Sequence, residues 1–401
     1  MQTMKLVALS LAAVIMLMPL PCNCQRLKQA KPENVNMSSE HLDKLRTVIL
    51  SAIENKDFPG AVLTVGRQGK IVFNEAFGEC QWVPSNRKMH VDMIFDLASI
   101  TKPVATASSV MILIQNGALR LFDRADNFIP EFTPFQNENG KPGEPVRIYH
   151  LLTHTSGLPP YTSAKEVTEK YGKPCPDSLI GHIARIKKLA PPGEKFRYSC
   201  LGFILLAEIV KRVSRNPVNE FAAEHIFKPL GMNSTTFNPS PDLIDRCVPT
   251  EAIDGIPLIG TVHDPLAQLM GGVSGNAGLF STAGDLAIFA QMLLQQGEYD
   301  GKRILSPLAV KRMTTIYERT AFSGRALGWD VSSDYSTNGG DLFSPESYGH
   351  TGYTGTSIWI DPTTRTFVIF LTNRVHPDDS GKVIATRSFI ANIVASSIMK
   401  P

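Results

Sequence analysis

The sequence predicts a mixed α/β (α+β) fold in which one sheet is built from both ends of the chain and a large helical lobe is inserted between them. Two apolar runs of strand character lie early, Ala61 to Val65 and Ile71 to Phe77, and two more lie late, Thr356 to Ile360 and Phe367 to Thr372. Between them, from about 120 to 320, stretches of helical period alternate with Pro/Gly-rich loops. Strands at both ends share one core if the sheet is assembled from the ends and the middle is an insertion.

The first 25 residues stand apart. Lys5 precedes the apolar stretch Leu6 to Leu20, Pro19 and Pro21 close it, and Cys22-Asn23-Cys24-Gln25 follows. This is the pattern of a secretory signal peptide, residues 1–24, cleaved before Gln25. The stretch is short for a bilayer span of ~20 residues. Acylation of Cys22 or Cys24 fits less well, because Pro21 and Asn23 precede them. The expected destination is secreted or periplasmic, with no stable membrane span after processing. Residues 25–37 are polar and read as a mobile leader to one domain, 38–401.

Within that domain, Leu42, Leu45, Val48, Ile49 and Ile53 recur at helical spacing behind a Ser38 or Ser39 cap. Gly66 to Gly69 reads as the hairpin turn between the two early strands. A helix follows Leu97, carried by Val104, Val110, Met111, Leu113 and Ile114, and stops near Asn116-Gly117. The lobe's helices include Gly202 to Val213, Val218 to Ile226 and Asp285 to Leu294. Strand character returns at Ala326 to Val331, before the two late strands joined by Asp361-Pro362-Thr363-Thr364. An amphipathic helix from about Lys382 to Ile398 closes the chain.

Composition narrows the function classes. Of 401 residues 43% are hydrophobic and 19% charged, so a sizeable core can form and wholesale disorder is excluded. Lys plus Arg total 40 against 37 acids, a formal charge of +3 without any Lys/Arg run, which argues against a nucleic-acid partner. Cys80, Cys175, Cys200 and Cys247 are widely spaced with no C-x-x-C, so finger-type metal sites are not expected, and the pattern leaves open both disulfides and free thiols.

No G-x-S-x-G elbow, H-E-x-x-H, Walker loop or G-x-G-x-x-G occurs. S-x-x-K occurs three times. Ser85/Lys88 lies in a polar run and Ser397/Lys400 at the chain end, whereas Ser99/Lys102 follows Phe95-Asp96-Leu97-Ala98 and opens an apolar helix. There Ser99 and Lys102 share a helical face, the helix dipole favours an alkoxide, and a Lys102 amine kept neutral by burial and cations can accept the serine proton. The plainer reading makes Ser99 an N-cap and Lys102 a solvated first-turn residue. Tyr198, in Phe196-Arg197-Tyr198-Ser199-Cys200, stands just before a helix and suits a proton acceptor or relay, or an ordinary amphipathic Tyr. Tyr348-Gly349-His350-Thr351-Gly352-Tyr353-Thr354-Gly355 offers hydrogen bonds beside small residues that let a substrate backbone approach, or is a Gly-rich hairpin with a surface His. His150 and His154 are four apart but lack a Glu and a third ligand, so no metal is expected. His263-Asp264 reads as a loop-bracing pair before a substrate-side one.

S-x-x-K, a Tyr motif and an H-T-G strand, in this order, resemble the class C β-lactamases, serine D-Ala-D-Ala carboxypeptidases and related esterases. The resemblance spans about 38 to 398. It includes Leu151-Leu152-Thr153-His154-Thr155-Ser156-Gly157-Leu158 and Gly278-Leu279-Phe280-Ser281-Thr282-Ala283-Gly284-Asp285-Leu286. Val262-His263-Asp264 to Gly278, with Leu371-Thr372-Asn373-Arg374-Val375-His376-Pro377, is similar to the branch of carboxypeptidase-like penicillin-binding proteins and muramyl-peptide amidases. The resemblance implies a β-lactamase/transpeptidase-like fold, an antiparallel sheet flanked by N- and C-terminal helices. It also implies an acyl-enzyme mechanism without cofactor: Ser99 the nucleophile, Lys102 its partner, Tyr198 the general base, and Cys200, His350, Thr351 and Gly352 on the substrate. Two positions depart from the pattern. Cys200 stands where the family usually has Asn, exchanging an amide for a thiol, a weak donor and acceptor. His350 replaces the commoner Lys with a group expected to titrate near neutral pH. Asn276 stands where branch members often carry His. The expectation is an exported serine hydrolase acting on peptidoglycan-type peptides or amides, β-lactams or small esters. The alternatives are an esterase with little β-lactam activity and a non-catalytic sensor of cell-wall fragments or β-lactams. The partner is a small-molecule or peptide substrate, and the oligomeric state is open.

Overall fold

A computed structural model describes residues 26–400; the expected signal segment, with Cys22 and Cys24, lies outside the described residues. The main sheet draws on both chain ends, as expected. Its strands are β1 (Lys28–Gln29), β2 (Gly60–Arg67), β3 (Lys70–Gln81), β4 (Tyr348–Thr351), β5 (Ser357–Asp361) and β6 (Thr366–Thr372). They lie in the order β1-β3-β2-β6-β5-β4, with the short strand Arg87–Lys88 added to β3. The β2–β6 pairing, Ala61 opposite Thr372 through Arg67 opposite Thr366, is the seam where the two ends meet. The sheet is antiparallel except that β1 runs parallel to β3.

Both faces of the sheet are covered, which is why β6 reads as an unbroken apolar run rather than alternating with polar residues. Val368 and Phe370 face a core with Leu45, Ile49, Ile390 and Val394 from the terminal helices Lys44–Glu54 and Ile384–Ser396, and with Phe58 from the loop after the first. Phe367, Ile369 and Leu371 face the other way, into the core shared with the Ala283–Leu294 helix and the helical lobe. Gly66 marks the bulge in the β2–β3 ladder, and a Cβ there would stand 2.1 Å from the Phe367 ring.

Three expectations change. Residues 28–37 are tied to the fold: β1 pairs with Lys70 and Ile71, Val35 and Met37 are buried, and Met37 bridges to Ile398. The apolar side chains inside this polar stretch anchor it. Ala326 to Val331 is not a strand. Gly328 takes φ +87°, Ala326 N–H donates to Trp329 O, and only isolated bridges link Arg325 to Asp330 and Asp330 to Gly349. Its apolar residues mark burial rather than extension, since Leu327 and Trp329 are in the core. Finally, Phe95–Asp96 forms a small sheet with Leu279–Ser281 and Thr236–Phe237 of the helical lobe, and these two- and three-residue strands are too short to show a period.

Candidate active site

Ser99 sits where that small sheet hands over to a helix. Phe95–Asp96 pairs with Leu279–Ser281, Leu97 N–H donates to Leu279 O, and Ala98 N–H donates to Asp96 Oδ1 at 2.9 Å. Ala98 is held at φ +46°, a left-handed conformation uncommon outside glycine, and Ser99 follows in a single 3-10 turn. The helix continues as a wide π segment, Lys102–Ala107, and then as the α-helix Ser108–Gln115 that stops at Asn116-Gly117. The expected contact between Ser99 and Lys102 is therefore present on a turn tighter than an α-helix.

Lys102 is fully buried, so the solvated reading is excluded, and its ammonium is spent on three acceptors: Ser99 Oγ at 2.9 Å, Asn276 O at 2.9 Å and Cys200 Sγ at 3.5 Å. Burial works against the Lys102 charge, but the Cys200 thiol and Tyr198 hydroxyl beside it outweigh burial, and its pKa lies above the ordinary lysine range. Lys102 thus lies in hydrogen-bond contact with Ser99, as the S-x-x-K spacing implies.

Tyr198 stands over Lys102, whose Nζ is 5.0 Å from the ring centroid; the Arg325 guanidinium lies 5.8 Å from the same ring. The following residue, Ser199, caps the Cys200–Ser214 helix through Gly202 N–H, as the placement of Tyr198 before a helix implied. Cys200 opens that helix beneath Lys102, and burial pushes its thiol above the ordinary range. It touches the Lys102 amine and is partly exposed. Cys80, Cys175, Cys200 and Cys247 are all free.

His350, Thr351 and Gly352 form and follow the end of β4, the edge strand of a Gly-rich hairpin with β5 in which His350 is buried rather than on the surface, and line a cleft of about 610 Å³ with Ser99 and Tyr198. Two threonines lock this edge to the Ser99 turn: Thr354 Oγ1 donates to Asp96 O at 2.7 Å and Thr356 Oγ1 to Leu97 O at 3.0 Å. A Cβ on Gly352 would stand 2.3 Å from Leu97 O, so only glycine allows this approach. His350 is 4% exposed, and burial, then the Arg325 and Lys102 charges, hold its pKa well below the ordinary imidazole value. The expected titration near neutral pH is thus displaced. Neutral His350 donates Nδ1–H to Thr351 O at 2.8 Å, leaving Nε2 a buried acceptor without a partner among the described residues.

The sequence reading missed Arg325. It is 1% exposed and lines the cleft; Nη1 pairs with Asp330 Oδ2 at 3.4 Å, while Nε and Nη2 have no partner among the described residues. No motif surrounds it, and its neighbours read as strand. Arg387, from the closing helix, donates to Gly352 O and Thr356 O and so shapes the turn from the far side. His150 and His154 act as backbone acceptors, from Arg147 N–H and Ser199 N–H, instead of converging on one point. His263 and Asp264 brace loops: His263 N–H donates to Asp96 Oδ2, and Asp264 caps Pro265–Leu269.

A sequence model of the beta-lactamase family matches residues 45–392. The chain belongs to the beta-lactamase family. Among its relatives, a protein of Escherichia coli (strain K12) named "Putative D-alanyl-D-alanine carboxypeptidase" is 32% identical over 376 residues, 87% of this chain and 86% of that protein. The solved structure of EstCE1, a hydrolase with promiscuous acyltransferase activity, shares the fold at TM-score 0.72 and 22% identity, covering 89% of this chain and 99% of that one. A penicillin-binding protein homologue from Caulobacter crescentus does so at TM-score 0.69 and 18% identity, covering 90% and 98%. The family member described here is a serine hydrolase. Among the described residues no helix is long and apolar enough to cross a membrane.

Proposed function

We propose that this protein is an exported hydrolase that works through an acyl-enzyme on Ser99, with peptides or amides ending in a carboxylate, of the peptidoglycan type, as its leading substrates. The observation that carries the reading is the 2.9 Å contact of Lys102 Nζ with Ser99 Oγ beside Tyr198, at the wall of an open cleft. In the acylation step the Ser99 Oγ–carbon bond forms as the serine hydroxyl proton passes to the oxygen of Tyr198, which acts as a phenolate beside the Lys102 ammonium. The scissile carbon–nitrogen bond then breaks, and the leaving amine takes that proton; a water later adds to the ester and frees Ser99. Lys102, charged throughout, stabilises the developing alkoxide. The edge strand β4 suits an extended substrate backbone. Arg325 supplies the free N–H groups of a buried cation to a carboxylate, an interaction strengthened by charge on both sides. Export rests on the signal-type pattern of residues 1–24.

The second reading, an esterase with little β-lactam activity, is favoured by Cys200, which places a weakly bonding thiol where an amide would grip a substrate amide. Intact-protein mass spectrometry with a fluorophosphonate, a penicillin, an acyl-D-Ala-D-Ala peptide and a short-chain ester separates the readings. The expected result is adduct formation with the peptide and release on a turnover timescale. Turnover of the ester alone selects the esterase, an adduct that never clears identifies a sensor, and adducts surviving Ser99→Ala reject the proposal.

A further inference from the structure

We infer that His154 is a positioning residue that holds the Tyr198 ring in register with Lys102 and Ser99. The inference rests on Tyr198 being the proton acceptor, and it arises from four contacts that close around that one residue. His154 is 1% exposed and has φ +57°, a backbone conformation that costs an L-residue energy and persists where its surroundings hold it. Its carbonyl accepts Arg197 N–H at 2.9 Å and its ring Nδ1 accepts Ser199 N–H at 3.1 Å, so one residue grips the chain immediately before and immediately after Tyr198. Its ring stacks on Tyr198 with centroids 4.3 Å apart and planes 30° apart, while Phe203 backs it at 5.0 Å.

Other rings and cations around Tyr198 are Lys102, Arg325, His350 at 6.1 Å and Tyr335 at 5.5 Å. Among these neighbours only His154 both stacks on the ring and bonds the adjoining backbone. Burial, then the charges of Arg325 and Lys102, keep the His154 imidazole neutral. With Nδ1 accepting, the proton is on Nε2, which has no partner among the described residues. His154 therefore adds no charge of its own to Tyr198, and its effect is geometric. Ser199 Oγ to Pro159 O at 2.6 Å and Cys200 N–H to Pro160 O at 2.9 Å continue the same grip along the loop.

The variants that test this are His154→Leu, which removes the acceptor; His154→Asn, which keeps an acceptor near Nδ1 and tolerates positive φ; and His154→Gln, which displaces the acceptor by one bond. Each is assayed on an activated ester in the wild-type and Tyr198→Phe backgrounds, with folding checked by thermal melting. His154→Leu is expected to lower kcat by about 10–100-fold with KM within about twofold, the cost of a displaced reacting group. His154→Asn should restore kcat to within about fivefold of wild type, and His154→Gln should fall well below it. In the Tyr198→Phe background His154→Leu should cause no further loss. A Tyr198→Phe enzyme that turns over at the wild-type rate overturns the base assignment and this inference with it. A slow Tyr198→Phe enzyme that slows further by the full His154→Leu factor overturns this inference alone. If His154→Leu does not fold, Asn and Gln decide, and equal kcat for the two overturns it.

Discussion

Ser99, Tyr198 and Cys200 each make a claim that one substitution can test. Ser99→Ala should abolish covalent labelling by a fluorophosphonate while Ser85→Ala labels normally, because only Ser99 meets a buried lysine amine. Wild-type labelling of Ser99→Ala would remove it as the nucleophile. Tyr198→Phe keeps the ring over Lys102 but deletes the hydroxyl, so turnover should fall by roughly 10²–10⁴ with little change in melting temperature. Unchanged turnover would leave no role for the phenol. Cys200→Asn returns an amide to the start of the Cys200–Ser214 helix, and acylation by a β-lactam should rise about three- to tenfold while the ester rate stays level. A parallel change in both rates would show that the residue acts only on Lys102. At this scale Ser99 and Lys102 were legible because a three-residue spacing reports a local contact. The other partners of the Lys102 amine were not, since Cys200 and Asn276 are distant in sequence.

Elements that report on themselves were read closely, and elements made by their neighbours were not. The Cys200–Ser214 helix, the β2–β3 hairpin and the closing helix carry enough residues to show a period, and the first opens on a Ser199 cap. β4 has four residues, two of them Gly and Thr, and owes its strand character to β5: Tyr348 faces Ile360 and His350 faces Ile358. That packing is tight. A Cβ on Gly349 would lie 1.9 Å from Trp359 Cε3, so Gly349→Ala should destabilise the protein by about 1–3 kcal/mol in urea unfolding and slow acylation by tilting the H-T-G edge away from Ser99. A stable Gly349→Ala protein with normal acylation would show that the edge is not constrained from below. The Ala326 to Val331 segment errs in the other direction, apolar enough to resemble a strand but folded into a buried turn by Gly328.

At the scale of the whole molecule the buried histidines set the response to acid. His150 is 4% exposed, and burial, then Arg147, bring its pKa down to about 4. Between about 4 and its ordinary value near 6.5 the unfolded chain binds the proton and the folded chain does not, so stability present above pH 6.5 is lost as the pH falls toward 4. This one residue accounts for on the order of 3 kcal/mol of that loss, and His154 and His350 shift in the same direction. Urea midpoints at about pH 7 and about pH 4.5 should therefore differ strongly, and His150→Asn should narrow the gap. An unchanged gap in that variant would place the acid sensitivity elsewhere. By itself the sequence determined what is local and periodic: the helices, the strands at both ends, the S-x-x-K pair, the Tyr before its helix and the H-T-G strand. Tertiary structure alone decided that Lys102 and His350 are buried, that Arg325 lines the cleft, and that residues 28–37 belong to the fold. Each of those depends on desolvation or on partners brought from far along the chain, and neither leaves a mark in the spacing of neighbouring residues.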